Sequence, residues 1–260
     1  MAFPATRGEQ PVRIVIVGAS GGLGRCLGVG LARRGGRVAL LARRRDKLDD
    51  AAREAGGDAV AIECDVTDET AGPAAIEEAA RALGGIDALV YATGVGPLSR
   101  LADTDAATWR HVFDTNVTGA ALVTAAALPH LDASAGTAVY LSSVSASMTP
   151  PWPGLGAYAV SKAALDKLVE AWRAEHPHIR FTRAVVGDCT GGEGDAMSQF
   201  ANGWDPELAA EIMPVWVSRA YLSGAFVDAD DLVATVDGVI RAGASIAIPS
   251  VTIAPRPAAP

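Results

Sequence analysis

The feature that most constrains the fold of this chain is an alternation. Short apolar runs rich in β-branched residues take turns with longer stretches of helical periodicity. "RIVIVG" (13–18) is continuous and apolar, the pattern of a strand buried on both faces, and a helix is predicted from Leu23 to Arg34. "RVALLA" (37–42) and "AVAIEC" (59–64) read as strands, with a charged helix between them at 45–55. A helix at 74–83 leads to a fourth strand, "IDALVYA" (86–92), and one long helical stretch then covers 106–131 with a break near Gly119. "GTAVYLSS" (136–143), a helix at 157–175 and "IRFTRAVV" (179–186) continue the series; a helix at 229–241 and a short strand, "SIAIP" (245–249), close it. Strict alternation predicts one doubly wound α/β domain over 1–260, a parallel sheet of about seven strands with helices on both faces. The Pro/Gly-rich patches at 147–156 and 187–194 follow strands five and six, where open parallel sheets place their ligands.

Bulk composition narrows the class. Of 260 residues, 50% are hydrophobic and 20% charged, enough for a large core and unlike a disordered chain. Twenty-two basic residues against 30 acidic ones give a net charge of −8, which argues against a nucleic-acid or anionic-membrane surface. No apolar run approaches the roughly 18 residues of a membrane span, and "MAFPATRGEQPVR" lacks the apolar core of a signal peptide. Cys26, Cys64 and Cys189 form neither a metal-ligand pattern nor a disulfide framework. They are expected to be reduced thiols, with a cytoplasmic location, and no metal site is expected.

Two segments point to a dinucleotide. The first strand runs into "GASGGLG", with Gly18, Gly22 and Gly24 spaced so that the backbone can turn tightly, approach a phosphate and open a helix N-terminus toward negative charge. The spacing is Gly-x-x-x-Gly-x-Gly rather than the commoner G-x-G-x-x-G. An NAD site has an acidic residue about 20 residues past the glycines. Here Ala42 is followed by Arg43, Arg44 and Arg45, and guanidinium groups suit a 2′-phosphate. NADP(H) is therefore the expected cofactor, with Arg43 as the main contact and Ser20 as helper. Arg45 is expected to be a solvated helix residue, and Arg44 is open between the two roles.

The third segment is "AYAVSKAALDKL" (157–168), which holds two of the chain's three lysines, Lys162 and Lys167. Tyr158 and Lys162 are four apart and share a helix face. A free phenol has a pKa of about 10; an ammonium beside it favours phenolate, so a Tyr–Lys pair can both give and take a proton. Lys167 falls elsewhere on the helix and reads as solvated.

In this order "GASGGLG", "CDV" (64–66), the Asn of "DTNVTG" (114–119), "LSS" (141–143) and "YAVSK" (158–162) resemble the classical short-chain dehydrogenase/reductases over about residues 12–190. Among four tyrosines, a lone Tyr-x-x-x-Lys arises by accident in about one such chain in twenty, so the weight lies on the co-occurrence. The resemblance implies a Rossmann-type fold, an NADP(H) cofactor held by Gly18, Ser20, Gly22, Leu23, Gly24 and Arg43, and a homodimer or homotetramer built through the helices at 106–131 and 157–175. It implies Tyr158 as general acid/base and Lys162 as ribose contact that lowers the Tyr158 pKa. It implies Ser143 as holder of the substrate oxygen, and Asn116 as the residue that positions a water linking Lys162 to solvent. Asp65 and Val66 would meet the adenine, Gly94 would line the adenosine side, and Thr190 would reach the nicotinamide amide.

Departures from the pattern leave questions open. "YATG" (91–94) stands where the family has Asn-Asn-Ala-Gly, which predicts weaker packing on the adenosine side. The interval from Ser143 to Tyr158 is about two residues longer than usual; Ser145 restores the spacing, while Ser143 ends the strand and is preferred. The C-terminal "SVTIAPRPAAP" lacks the family's common final strand. Over 190–226, hinge-like glycines precede Met197, Phe200, Trp204, Met213, Trp216, Tyr221 and Phe226, a set that reads as an apolar lid over a bulky ketone or, equally, as the packing of a small helical cap or a subunit contact. Trp152 and Met148 are expected to face the same cavity, with Glu193 and Asp195 near its mouth. Three functions are open on this basis: an NADPH-dependent carbonyl reductase acting on an apolar ketone or secondary alcohol, a redox-neutral enzyme with bound cofactor, and a non-catalytic NADP-binding subunit.

Overall fold

A computed structural model describes residues 11–191, 200–222 and 224–256. Seven strands form one parallel sheet: β1 (Arg13–Val17), β2 (Arg37–Ala42), β3 (Val60–Glu63), β4 (Ala88–Tyr91), β5 (Thr137–Ser143), β6 (Arg180–Val186) and β7 (Ser250–Ile253). Their order across the sheet is β3-β2-β1-β4-β5-β6-β7. The order reverses between β1 and β4, so a crevice opens there beyond the carboxyl ends of the strands.

The strands alternate their side chains between two cores. Val15, Val17, Leu89, Tyr91, Ala138 and Tyr140 face α3 (Ala71–Leu83), α5 (Gly119–Ser134) and α7 (Gly156–Glu175). Ile14, Ile16, Ala88, Val90, Val139 and Leu141 face α1 (Gly22–Arg33), α2 (Arg45–Ala55) and α9 (Ala229–Ile240). Both faces are apolar, which is why these strands read as unbroken runs rather than as alternating patterns.

Three elements differ from expectation. The helix expected over 106–131 is α4 (Ala106–Phe113) and α5, joined by a π-helical turn at Asp114–Thr118. Such turns recur at functional sites, and Asn116 lies within this one. The final strand is not 245–249 but Ser250–Ile253, paired in parallel with β6. Pro249 has no N–H for a ladder, so the pairing starts after it, within the segment expected to lack a strand. Two helices were unmarked by any expected boundary: α6 (Val144–Ser147), directly after β5, and α8 (Pro206–Ser218), which Asp205 caps by accepting from Glu207 N. Among the described residues, no helix is long and apolar enough to cross a membrane. The segment 192–199, with Glu193, Asp195 and Met197, lies outside the described residues, as do residues 1–10.

Candidate active site

A cavity of about 620 Å³ follows the carboxyl ends of the strands, with the glycine turn and the arginines in one half and Ser143, Tyr158, Lys162 and the aromatic residues in the other. Its first half is made almost wholly of backbone. Gly18 has φ +94°, and a Cβ there would lie 2.5 Å from Thr93 Oγ1. A Cβ on Gly24 would lie 2.2 Å from the Gly18 carbonyl oxygen, so the first turn of α1 can close on the strand only with glycine. No side chain caps the α1 N-terminus at Gly21, which leaves its first N–H groups to the cleft. This cradle fits a pyrophosphate. Thr93, in the "YATG" departure, packs directly on the turn, and the Tyr91 hydroxyl donates to Thr115 O in the π-turn at 2.6 Å. The expected loss of packing on this side is therefore offset by other side chains.

Arg43 and Arg44 both line the cleft. Arg44 is tied to the glycine turn, donating from Nη2 to Ser20 Oγ at 3.2 Å and to Ser20 O at 3.3 Å. Arg43 is 58% exposed, its Nη1 3.9 Å from Asp65 Oδ2. Burial raises the Asp65 carboxyl, but hydrogen bonds from Thr67 and the Arg43 charge bring it below its ordinary value. Arg45 instead pairs with Asp49 one turn along α2 and faces solvent. Ser20, Gly22, Leu23, Val66 and Gly94 also line the cleft. The cradle and the two guanidinium groups together suit a phosphorylated dinucleotide.

In the second half, α7 delivers Tyr158 and Lys162 beside the end of β5. Lys162 is not a solvated helix residue: it is 4% exposed, and its Nζ donates to Leu141 O at 2.7 Å. Burial lowers its pKa to about 8, against the charge of Asp166 one turn further on. Tyr158 is pushed up to about 12 by burial, with the Ser143 hydroxyl holding it back. The direction is opposite to the lowering expected from Lys162: in the protein alone, burial sets it. Ser143 Oγ lies 2.9 Å from Ser145 Oγ, so the two serines form a buried pair with Ser143 on the Tyr158 side. Lys167 pairs with Glu170 on the exposed face, as expected.

Asn116 is buried and fully engaged. Its Oδ1 accepts from Val95 N at 2.8 Å, while Nδ2 donates to Val95 O at 2.9 Å and to Ser161 Oγ at 2.8 Å. Ser161 in turn donates to Tyr158 O at 2.7 Å. Asn116 thus fixes the loop after β4 against the catalytic helix, and Ser161, missed in the sequence, is the link. Its signal was its place in "YAVSK", on the turn between Tyr158 and Lys162. Thr190, expected at the nicotinamide end, is turned away: its Oγ1 donates to Val227 O and accepts from Ala229 N, and it does not line the cleft. Asp188, Cys189 and Gly191 line it there instead.

Aromatic rings roof this half. Phe200 packs on Tyr158 with ring centroids 4.8 Å apart, and contacts continue from Phe200 to Trp204 (5.5 Å), Trp204 to Trp216 (5.8 Å), Trp216 to Trp152 (5.3 Å) and Trp152 to Tyr221 (5.6 Å). Trp204 donates to Gly96 O, and Trp216 to Pro153 O, each at 2.8 Å. Trp204 and Trp216 are therefore pinned to the loops they cover, and Trp152, Phe200, Trp204, Met213, Trp216 and Phe226 line the cavity. Met148 does not; it is 60% exposed outside it.

The family model of the short chain dehydrogenases matches residues 13–191, and the chain belongs to the short-chain dehydrogenase/reductase family, a family of oxidoreductases. An "11-beta-hydroxysteroid dehydrogenase-like 2" of Arabidopsis thaliana is 34% identical over 180 residues, 67% of this chain and 58% of that protein. An uncharacterized oxidoreductase of Myxococcus xanthus is 36% identical over 165 residues, 62% of this chain and 64% of that one. The chain thus spans less than two thirds of the length of these relatives. A short-chain type dehydrogenase/reductase from Mycobacterium marinum superposes with a TM-score of 0.80 over 94% of each chain, at 26% identity. An alcohol dehydrogenase from Thermococcus sibiricus, complexed with 5-hydroxy-NADP, superposes with a TM-score of 0.78 at 22% identity, over 94% of this chain and 96% of that one; this likeness speaks for the fold.

Proposed function

We propose that the protein is an NADPH-dependent carbonyl reductase acting on ketones, and in reverse on secondary alcohols. The observation that carries this reading is Tyr158 beside Ser143, with Lys162 buried and the glycine turn in the same cleft. When bound, NADPH would supply a hydride to the carbonyl carbon. Ser143 would hold the carbonyl oxygen and Tyr158 would donate its proton to it. Lys162, still largely an ammonium at neutral pH, would bind the ribose hydroxyls and attract negative charge developing on Tyr158. Arg43 and Arg44 would hold the 2′-phosphate, and the aromatic roof would exclude water from the reacting oxygen.

The deciding experiment is Tyr158→Phe. Loss of the proton donor is expected to lower kcat about 10²–10⁴-fold, with NADPH affinity retained; undiminished turnover would sink the mechanism. Stoichiometric NADPH consumption separates reduction from a redox-neutral step. A homodimer or homotetramer through the faces of α5 and α7 is part of this reading, and light scattering at working concentration tests it.

A further inference from the structure

The family chemistry leaves one carboxylate of the cleft, Asp188, without a task. Asp188 follows β6 by two residues, and β6 ends with Val186 in register with Ser143, so Asp188 lies in the Tyr158 half of the cleft. It is half-buried, and among the described residues its carboxylate has no hydrogen-bond or ion-pair partner. Burial alone pushes its pKa up, with no charged group acting on it. A carboxylate withdrawn from water and left unpaired destabilises the protein unless something answers it.

Its surroundings indicate what would answer it. Val227 N donates to Asp188 O at 2.8 Å, which sets the cavity-lining ring of Phe226 on the adjoining segment. Phe200, Trp204 and Trp216 line the same half. Aromatic faces carry negative potential and attract cations. The lining cations are Arg43 and Arg44 in the other half and Lys162, whose Nζ is already bound to Leu141 O. A partly desolvated carboxylate in a cavity that aromatic rings also line is a site for an ammonium group.

We infer that Asp188 and the aromatic roof select substrates that carry a cationic amine beside the reacting carbonyl, so that the substrate class is the amino ketones and the corresponding amino alcohols. The inference rests on the carbonyl-reductase reading for its reaction, and on Asp188 and the roof for its selectivity.

Two probe pairs test it on the full chain. The binding pair is benzyltrimethylammonium and its neutral isostere neopentylbenzene, followed with and without NADPH through the fluorescence of the roof tryptophans. The charged probe is expected to bind about tenfold tighter or more, and Asp188→Asn to erase that preference. The turnover pair is 3-(dimethylamino)-1-phenylpropan-1-one and 4-methyl-1-phenylpentan-1-one. The ratio of their kcat/KM values is expected to favour the amine about tenfold and to collapse in Asp188→Asn. Equal binding of the two binding probes by the unmutated protein overturns the inference, and this comparison needs no variant to fold. So does an Asp188→Asn loss that is equal for both ketones, or one that appears as weakened NADPH binding, since Asp188 would then serve the cofactor or the loop. Turnover of neither ketone, with Asp188-dependent binding of the ammonium probe intact, overturns the reductase reading and leaves the binding site standing.

Discussion

The two halves of the cleft are built on opposite plans. The dinucleotide half is made of backbone: Gly24 meets the Gly18 carbonyl, Gly18 meets the Thr93 main chain, and the α1 N-terminus is left open. The substrate half is made of side chains from distant segments, with Gly96, Trp152, Tyr158, Phe200, Trp204 and Trp216 brought into one stack. A backbone site tolerates no added atom because its neighbours cannot move. A side-chain site can yield by rotamer changes, and its contents can vary between relatives without loss of the fold. The extent of the family match reflects this: it stops at residue 191, before the roof segment begins.

This comparison can be broken by measurement. A large effect is expected within the serine pair. Ser143→Ala should lower kcat about 10²-fold or more, and Ser145→Ala far less, because Ser143 stands on the Tyr158 side of the serine pair. Equal losses would mean the two hydroxyls act as a unit.

Next is the contrast between two glycines. In Gly24→Ala the new Cβ would lie 2.2 Å from a carbonyl oxygen, so unfolding stability should fall by about 2–4 kcal/mol and NADPH binding should be lost. In Gly96→Ala the nearest atoms are the tip of the Phe200 ring, at 2.4 Å, which can swing aside. Thermal unfolding should then change little while KM for bulky ketones shifts. Similar losses of stability in both variants would refute the difference between the halves.

Lys162 sharpens the comparison from another side. With its folded pKa near 8 against an ordinary 10.5, the buried ammonium costs about 3 kcal/mol at neutral pH. The unfolded chain binds more protons between these two values, so the cost disappears as pH rises from about 8 to 10.5. Lys162→Met should therefore abolish activity yet raise stability at pH 7 by about 1–3 kcal/mol, after loss of the hydrogen bond to Leu141 O. Chemical denaturation at pH 7 and at pH 10 should show that advantage shrinking; a constant gap would contradict a charged, buried lysine.

The smallest effect concerns cofactor choice. Arg43→Ala and Arg44→Ala should each weaken NADPH about tenfold and leave NADH nearly unchanged, with Arg44→Ala also loosening the Ser20 turn. Parallel losses for both cofactors would remove the case for a 2′-phosphate site.

Much of this was legible before any coordinates. "RIVIVG", "RVALLA" and "GTAVYLSS" announce strands buried on both faces because apolar periodicity is a local property. The turn at Gly18–Gly24 and the pairing of Tyr158 with Lys162 are legible for the same reason: both depend on spacing within one or two turns of chain. Boundaries moved where a neighbour overrode local pattern, as when Pro249 shifted the last strand to Ser250–Ile253. Lys167 reads correctly as solvated from helix geometry alone.

What the sequence by itself determined, then, is the parallel sheet, the glycine turn that opens α1 and the shared helix face of Tyr158 and Lys162, because each is written in contiguous residues with fixed periodicity. Only the tertiary structure decided that Lys162 is buried and Tyr158 raised, that Ser143 rather than Ser145 faces the phenol, that Thr190 turns away, and that Asp188, unpaired among the described residues, shares a cavity with aromatic rings. Those properties depend on which distant segments exclude water from a group, and desolvation is a property of the packed molecule, not of the order of its residues.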